Sequence, residues 1–312
     1  MTSALAAGVD VGRDFLDVAF APSGRGFRAP NAPAGIALIL DRLKRRGVTR
    51  VVIEAIGAYG ARLVRALAAA GFEVGVVDPR RIRALRIAEG GKAKTDQLDA
   101  ALIARFALVM TDAVRPVPSP EAQELRALSA RRRQLVEMIA MEKTRLKQAI
   151  DPAIAQSHRE IIATLGAARA RVETQIEARV RAVDDGAAFE LLQTIPGVGP
   201  TIAATLLVDM PELGSLTAKT AASLAGVAPH VSQSGAGPAR AHIQGGRSCV
   251  RAALYLAAMN AARSDAGYKR AYQALRAAGK PGKVALIAVA RKIIVAANAM
   301  MKHGQPWARE NT

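Results

Sequence analysis

The chain has 312 residues, of which 44 are Lys or Arg and 26 are Asp or Glu, so its formal net charge is +18. An imbalance of this size opposes compaction by self-repulsion and favours a polyanionic partner such as nucleic acid. The longest apolar stretch, residues 284–301, contains Arg291 and Lys292, so we predict no membrane-spanning segment. The single cysteine, Cys249, excludes an internal disulfide framework and favours a reducing cytoplasm.

The first domain, residues 1–115, has the pattern of a mixed α/β fold. Two apolar strands joined by a tight turn come first, followed by helices that alternate with strands. The predicted elements are strands over 4–11, 15–20, 50–54 and 72–77 and helices over 34–46 and 61–70, with a further helix from residue 96. This order is that of a ribonuclease-H-like sheet.

Four carboxylates stand out in this domain: Asp10, Glu54, Asp96 and Asp99. Asp10 interrupts an apolar strand, where an unpaired charge costs several kcal/mol, on the order of the usual burial penalty. Glu54 ends another strand, and ligand sites in open α/β sheets gather at such ends. Asp96 and Asp99 share one helix face. Converging carboxylates are ligands for one or two Mg²⁺ ions, or for Mn²⁺, in phosphoryl transfer.

Each of these carboxylates also has an ordinary structural interpretation. Asp10 is compatible with a turn at a strand end, and Asp96 with Asp99 is compatible with a helix cap and an acidic first turn. Two nearby acids are left out of the predicted site. Asp14 suits the hairpin turn, and we expect Asp17 to point outward from the second strand.

A basic segment precedes the acidic helix. Its predicted phosphate contacts are Arg80, Arg81, Arg83, Lys92 and Lys94, directly ahead of the two aspartates. The alternative is a solvated charged face without a ligand. Residues 91–101, GKAKTDQLDAA, join this basic segment to the acidic helix.

A helical connector occupies residues 116–185. The proline-rich stretch 114–120 ends the first domain, and a heptad-like apolar stripe begins at Glu121. Asp151 and Pro152 stop this helix, and a second helix is predicted over 158–183. The pattern indicates an antiparallel helical hairpin, which either packs within one chain or forms a dimerisation arm.

In the third predicted domain, residues 186–312, the segment LLQTIPGVGPTIAATLL at 191–207 has a helix-hairpin-helix pattern, for which the alternative is an ordinary helical corner. Gly197 and Gly199 allow a tight turn and expose backbone N–H groups to a phosphate. A glycine-rich loop is predicted over 226–246, and Ser234 within it is a candidate nucleophile. By composition alone Ser234 is not distinguished from Ser232 or Ser248. Three arginines are predicted to supply positive charge beside it: Arg240, Arg247 and Arg251.

The segments GVDVGRDFLDVAF, VVIEAIGAYG and VVDPRRIRALRIAEGGKAKTDQLDAALIARFA resemble the N-terminal domain of insertion-sequence-110 family transposases. The C-terminal pattern, QSG followed by GGRSCVR, is similar to the second domain of that family. The resemblance implies a RuvC-like domain with a metal-binding DEDD set on Asp10, Glu54, Asp96 and Asp99. It also implies that Ser234 attacks DNA and forms a covalent phosphoserine link.

Several partners follow from the resemblance: donor and target DNA, a structured guide RNA (the bridge RNA), and further copies of the chain in a dimer or tetramer. We therefore predict a bacterial cytoplasmic DNA recombinase of α/β plus all-α architecture. One alternative is a metal-dependent nuclease or junction resolvase that activates water. Another is a DNA-binding protein without catalysis.

Overall fold

A computed structural model describes residues 5–54, 58–90, 96–109, 115–116, 119–232 and 240–308. Within these ranges, the side chains of Ala58, Asp96, Arg115, Pro116, Val231, Ser232, Arg240 and Ala241 are not described. The chain divides into two compact units, Met1–Ser119 and Pro120–Thr312. The prediction of a mixed α/β N-terminal domain followed by a mainly helical remainder is confirmed.

The first unit contains a six-stranded sheet. Its strands are β1 (Ala6–Val11), β2 (Phe15–Ala21), β3 (Gly26–Pro30), β4 (Arg50–Glu54), β5 (Glu73–Val77) and β6 (Arg115–Pro116), in the spatial order β3-β2-β1-β4-β5-β6. The first three strands form an antiparallel meander, whereas β4 is parallel to both of its neighbours, β1 and β5. The carboxyl ends of β1, β4 and β5 therefore meet at one edge.

Four helices cover the two faces of this sheet. They are α1 (Pro33–Arg45), α2 (Ala61–Ala69), α3 (Pro79–Ala88) and α4 (Asp96–Val109). Because side chains alternate along a strand, Val51 and Ile53 of β4 enter the core shared with α1 and α2. Val52, between them, packs with Ile82 of α3 and Ile103 of α4. The acidic helix α4 thus covers the face that carries the even-numbered positions of β1 and β4.

Among its described residues, the second unit is helical apart from one two-stranded hairpin. Its elements are α5 (Pro120–Gln148), α6 (Pro152–Arg181), α7 (Ala187–Gln193), α8 (Pro200–Asp209), α9 (Ala218–Leu224), β7 (Pro229–Ser232), β8 (Arg240–Ile243), α10 (Ser248–Ser264), α11 (Ala266–Ala277) and α12 (Gly282–His303). Helix α12 is long and apolar enough to cross a membrane by length and composition. Its Val289, Ile293 and Ile294 are fully buried in the core of this unit, which accounts for that composition.

Helices α5 and α6 form the antiparallel hairpin, and polar pairs cross between them. Arg132 donates to Glu173 at 2.7 Å, and the Nδ1 atom of His158 lies 2.6 Å from a carboxylate oxygen of Glu142. The hydrogen bond with His158 holds the pKa of the Glu142 carboxyl below its usual range. Polar residues on the apolar stripe are therefore paired across the seam.

Several element boundaries differ from the predictions. Helix α6 begins at Pro152 rather than at residue 158, because Asp151 caps it by accepting from two backbone N–H groups. The sequence pattern also missed β3, β6 and α3. The glycine-rich segment that was expected to be a loop contains β7 and β8, which pair antiparallel.

Candidate functional site

Asp10 and Glu54 lie at the same edge of the sheet. The parallel register of β1 and β4 pairs Val9 with Ile53, and the next positions along the two strands are Asp10 and Glu54. Neighbouring positions in register point to the same face, which here is the face covered by α4. Both carboxylates are partly buried. Each makes an interaction with another group of the protein.

Gly8 allows α4 to pack directly on β1. A side chain at Gly8 would overlap the backbone of Ala100 and Ala104, so only glycine fits beneath the helix. Farther along the helix, Ala107 packs with Ala6, at the start of β1. Helix α4 therefore runs antiparallel to β1, and its N-terminal end, with Asp99, lies at the end of the strand that carries Asp10.

Asp99 is 7% exposed and forms an ion pair with Arg86 of α3. An arginine beside a buried carboxylate offsets the desolvation of its charge. The structure thus brings Asp10, Glu54 and Asp99 to one region, which we call the acidic edge. Asp96 begins α4 in the same region, but its side chain lies outside the described part.

The expectation that Asp17 points outward is wrong. Asp17 is the register partner of Asp10 on β2, so the two side chains share a face. It is 4% exposed, and the guanidinium of Arg28 donates to both of its carboxylate oxygens at 2.9 to 3.2 Å. The covering helix α4 buries this position, and the alternation along β2 could have identified it. Asp17 forms a structural ion pair with Arg28.

The acidic edge has the donor chemistry of a divalent-cation site. Carboxylate oxygens are the hard ligands that Mg²⁺ and Mn²⁺ prefer. Among the described side chains, no three His, Cys, Asp or Glu residues lie close enough together to hold a metal ion. Asp96, the fourth predicted ligand, is not included in that comparison. The residue types therefore fit a divalent cation. In the structure the carboxylate of Asp99 is paired with the guanidinium of Arg86.

The predicted basic segment forms helix α3. Asp78 caps this helix by accepting from the backbone N–H of Arg80 at 2.8 Å. Arg80, Arg81 and Arg83 are exposed, and within the described ranges no carboxylate pairs with them. Lys92 and Lys94 lie outside the described residues. The exposed arginines are available to a phosphate.

Ser234 lies outside the described residues, but the frame on either side of it is described. Strands β7 and β8 flank residues 233–239, and we call this unit the serine hairpin. Beyond β8, Gly246 packs against the backbone of Gly226, and both glycines have positive φ angles, +67° and +73°. Side chains at these positions would overlap, so the paired glycines fix the base of the hairpin.

The arginines predicted beside Ser234 contribute to that base. Arg247 donates to both carboxylate oxygens of Glu212 at 2.6 Å, and its backbone N–H donates to the carbonyl of Leu224 at 2.9 Å. Arg251 donates to the carbonyl of Gly245 at 2.7 Å. The side chain of Arg240 is not described. The observed contacts of Arg247 and Arg251 are structural.

The predicted helix-hairpin-helix residues differ in their surroundings. Gly197, with φ at +84°, lies against the backbone of Ala257 and Ala261 in α10, where a side chain would overlap. Gly199 is exposed at the start of α8 and has nothing within 4 Å of the position a Cβ would take. Close packing explains Gly197, and Gly199 is the more accessible of the two.

Tyr268 is a core residue of the second unit. Its side chain is fully buried and stacks on Trp307 with 5.3 Å between ring centroids. Burial raises the pKa of the Tyr268 phenol above its ordinary range. This tyrosine therefore does not stack on bases.

Two family profiles match the chain in succession. Residues 7–154 match the profile of the DEDD transposases of IS110 elements, and residues 189–273 match the profile of the transposase IS116/IS110/IS902 family. The matches do not overlap and together take in about three quarters of the chain. The chain belongs to the IS110 family of transposases. Members of this family are recombinase enzymes, so the prediction of a DNA recombinase or transposase is confirmed.

Curated relatives of this IS110-family transposase extend over most of its length. The pilin gene-inverting protein of Moraxella lacunata is 27% identical over 263 residues, which are 82% of this chain and 81% of the relative. The IS110 insertion-element protein of Streptomyces coelicolor, of 43.6 kDa, is 24% identical, over 88% of this chain and 87% of its own. A solved structure of T. thermophilus RuvC in complex with Holliday junction substrate aligns with 36% of this chain and 99% of its own, at 16% identity and a TM-score of 0.28.

Proposed function

We propose that this transposase cleaves and exchanges DNA strands, with metal-binding carboxylates at the acidic edge and Ser234 as the nucleophile. Asp10, Glu54, Asp96 and Asp99 would hold Mg²⁺ or Mn²⁺, and a bound ion would neutralise charge on the scissile phosphate. We further propose that the fold of the first unit is of the ribonuclease H and RuvC type. Its antiparallel meander, joined to two parallel strands, supports that assignment.

One arrangement supports the metal-binding role more than any other. The end of β1, the end of β4 and the start of α4 meet at one edge, and each carries one or two of the predicted carboxylates. Gly8 keeps the helix close to the strand. The burial of Asp99 with an arginine indicates that negative charge at this edge needs a cation nearby.

In the proposed covalent step, Ser234 is the nucleophile. Its hydroxyl oxygen attacks phosphorus and forms a new P–O bond, while the bond from phosphorus to a deoxyribose oxygen breaks. The serine proton is lost to solvent, and the departing oxygen takes up a proton to become a free hydroxyl. The reverse attack by the hydroxyl of another strand restores a phosphodiester and frees the serine.

Ser234→Ala tests the nucleophile directly. We expect this variant to fold and to bind DNA but to leave no protein-linked DNA on a denaturing gel. Ser232→Ala, in the same segment, and Ser248→Ala, at the start of α10, are matched controls that should retain the adduct. In the unmodified protein we expect adduct formation to require Mg²⁺ and to be prevented by a chelator added before the DNA. Cleaved DNA without any adduct would instead identify a nuclease that activates water.

We also propose that the exposed arginines of α3 and the start of α8 contact DNA phosphates. Arg80, Arg81 and Arg83 share the α3 surface, on the side of the sheet that carries α4. Gly199 offers backbone N–H groups at the start of α8. The lysines at 92 and 94 and Arg240 complete the proposed set, whereas Arg247 and Arg251 are proposed to shape the base of the serine hairpin. A triple Arg80→Gln, Arg81→Gln, Arg83→Gln protein should bind DNA more weakly and with a smaller salt dependence.

A guide RNA is proposed from the family resemblance. The net charge of +18 suits a second polyanion besides DNA. If the proposal holds, protein purified from a host that carries the whole element will contain one discrete RNA species. Purified protein that contains only degraded, heterogeneous RNA would count against a specific guide.

Self-association through the α5–α6 hairpin is proposed as well. Met141 of α5 and Ile154 and Ile161 of α6 are 51%, 55% and 42% exposed, although all three are apolar. Burial of these side chains against a second copy would be favourable. Met141→Glu with Ile161→Glu should lower the mass of the particle measured by light scattering. Thr144→Glu, also on an exposed position of α5, should leave it unchanged.

A further inference from the structure

A cluster of four arginines surrounds two phenylalanines in the first unit. Phe20 of β2 and Phe27 of β3 stack with 6.0 Å between their ring centroids. The guanidinium carbon of Arg42 lies 4.2 Å from the centroid of Phe27, and that of Arg46 lies 4.3 Å from the centroid of Phe20. Arg25 and Arg45 line the same surface pocket. We call these four residues the arginine cluster.

Few carboxylates pair with the arginines of this cluster. Arg45 pairs with Asp41 at 3.0 Å, one turn earlier on α1. In the part of the chain that the structure describes, Arg25, Arg42 and Arg46 have no carboxylate partner. All four arginines are exposed. Three positive charges therefore face solvent together.

The rings beneath these arginines are held firmly. Phe20 is 4% exposed, and the turn after it is closed by two backbone hydrogen bonds, from Gly24 to Phe20 at 2.7 Å and from Phe20 to Arg25 at 2.9 Å. A guanidinium stacked on a fixed ring keeps its N–H donors directed outward and loses less freedom when it binds an anion. These stacked arginines therefore lose less conformational entropy on binding an anion than flexible lysine side chains would.

The end of α1 explains only part of the cluster. Basic residues in a last turn interact favourably with the helix dipole, and Arg42, Lys44 and Arg45 meet that description. Arg25 belongs to the β2–β3 turn, however, and Arg42 and Arg46 are drawn over the phenylalanine rings. Two separate chain segments thus supply positive charge to one surface.

The cluster is separate from the acidic edge. Phe20 is the register partner of Ala7 and belongs to the core on the α1 side of the sheet. Asp10 lies three residues further along β1, roughly 10 Å away, and faces the opposite side. A ligand of the arginine cluster is therefore not the phosphate that reacts.

We propose that the arginine cluster binds the phosphodiester backbone of nucleic acid outside the reacting segment. Flat guanidiniums match phosphate oxygens, which accept paired hydrogen bonds. The chain belongs to a family of DNA recombinases, so nucleic acid is the polyanion it meets. The proposal concerns binding alone and does not depend on the assignment of Ser234 or of the metal ligands.

The test is a double variant, Arg42→Gln with Arg46→Gln, titrated by fluorescence anisotropy with labelled duplex DNA and with a labelled RNA hairpin of similar length. We expect the affinity for at least one of them to fall roughly tenfold for each arginine at 0.1 M salt. The slope of log K against log salt should also decrease by about 0.9 per lost phosphate contact on duplex DNA. The probe that loses affinity identifies the nucleic acid that occupies the cluster.

Two controls separate a built site from net charge. Arg62→Gln with Arg65→Gln removes the same charge from exposed positions of α2 and should have a smaller effect. Arg42→Lys with Arg46→Lys keeps the charge but removes the flat stacked donors, and it should also weaken binding. Unchanged affinity for both probes in the glutamine variant would overturn the proposal, as would equal losses in the α2 control.

Discussion

The acidic edge of the first unit and the base of the serine hairpin in the second are assembled in similar ways. In each, glycine permits a backbone contact that no side chain would allow, at Gly8 in one and at Gly226 with Gly246 in the other. Each also contains an arginine–carboxylate pair. In the acidic edge Arg86 pairs with Asp99, and beside the hairpin Arg247 pairs with Glu212.

The two pairs differ in burial. They also differ in whether the acid or the arginine is the predicted functional residue. The side chain of Asp99 is 10% exposed and that of Glu212 is 38% exposed. In the first region the arginine compensates an acid that was predicted to hold metal. In the second an acid engages an arginine that was predicted to hold phosphate. A charged residue of a sequence motif, such as Arg247, can therefore form part of the scaffold of a site through its own ion pair.

Gly8→Ala should have the largest effect on stability. The added methyl group would overlap the backbone of α4, so helix and strand must separate, at a cost of about 3 kcal/mol in the free energy of unfolding. Urea denaturation measures this change. Gly60→Ala is the matched control, since only the side chain of Val11 lies nearby, at 3.8 Å. Equal stability of the two variants would contradict the tight packing of α4.

Gly246→Ala should be the next most destabilising change. Alanine at a φ of +67° is strained, and its methyl group would meet the backbone of Gly226, so we expect a loss of roughly 2 to 3 kcal/mol. Gly245→Ala has a similar φ, +67°, but open space around it, and it isolates the strain from the overlap. If both variants lose the same stability, the contact between the two glycines is unimportant.

Arg86→Gln should cost about 2 kcal/mol, because it leaves a buried carboxylate without its cation. We further expect that added Mg²⁺ will raise the melting temperature of this variant more than that of the unmodified protein, since a divalent cation at the acidic edge can replace the lost positive charge. Differential scanning fluorimetry with and without Mg²⁺ measures both effects. A variant that is as stable as the unmodified protein would show that Asp99 does not need Arg86.

Arg247→Gln should have the smallest effect of the four, about 1 kcal/mol. The side chain of Glu212 is 38% exposed, so water can solvate its carboxylate after the arginine is removed. The hairpin base should loosen, so the rate of adduct formation should fall while the affinity for DNA changes little. A large loss of DNA affinity with an unchanged rate would instead assign Arg247 to phosphate binding.

Strands β1, β2, β4 and β5 and the positions of two carboxylates could be predicted from the sequence, because apolar strand patterns place Asp10 and Glu54 at strand ends. The partners of the acids could not. Arg86 reaches Asp99 because α3 packs on α4. The many arginines of α3 indicate a basic segment and do not by themselves predict this packing.

Pairing that depends on tertiary packing was also missed elsewhere. Arg28 neutralises Asp17 only because β3 pairs with β2. The β3 sequence, GFRAP, contains glycine, proline and one large apolar residue, so it has no alternating apolar pattern that indicates a strand. Strands β7 and β8 are four residues each and lie in a glycine-rich segment, so composition alone predicts a loop. The start of α6 has a sequence signal in Asp151 and Pro152, because a proline that follows a capping residue is typical of a first helical position as well as of a helix end.

In the proposed reaction, Ser234 forms the covalent adduct only when the carboxylates of the acidic edge hold a metal ion. The most direct measurement is the yield of covalent protein–DNA adduct formed by Asp10→Asn in Mg²⁺, with DNA affinity and thermal stability measured on the same preparation. Asparagine is nearly isosteric, so we predict a folded protein that binds DNA but gives no more adduct than Ser234→Ala. An adduct formed by Asp10→Asn at the rate of the unmodified protein would contradict the account.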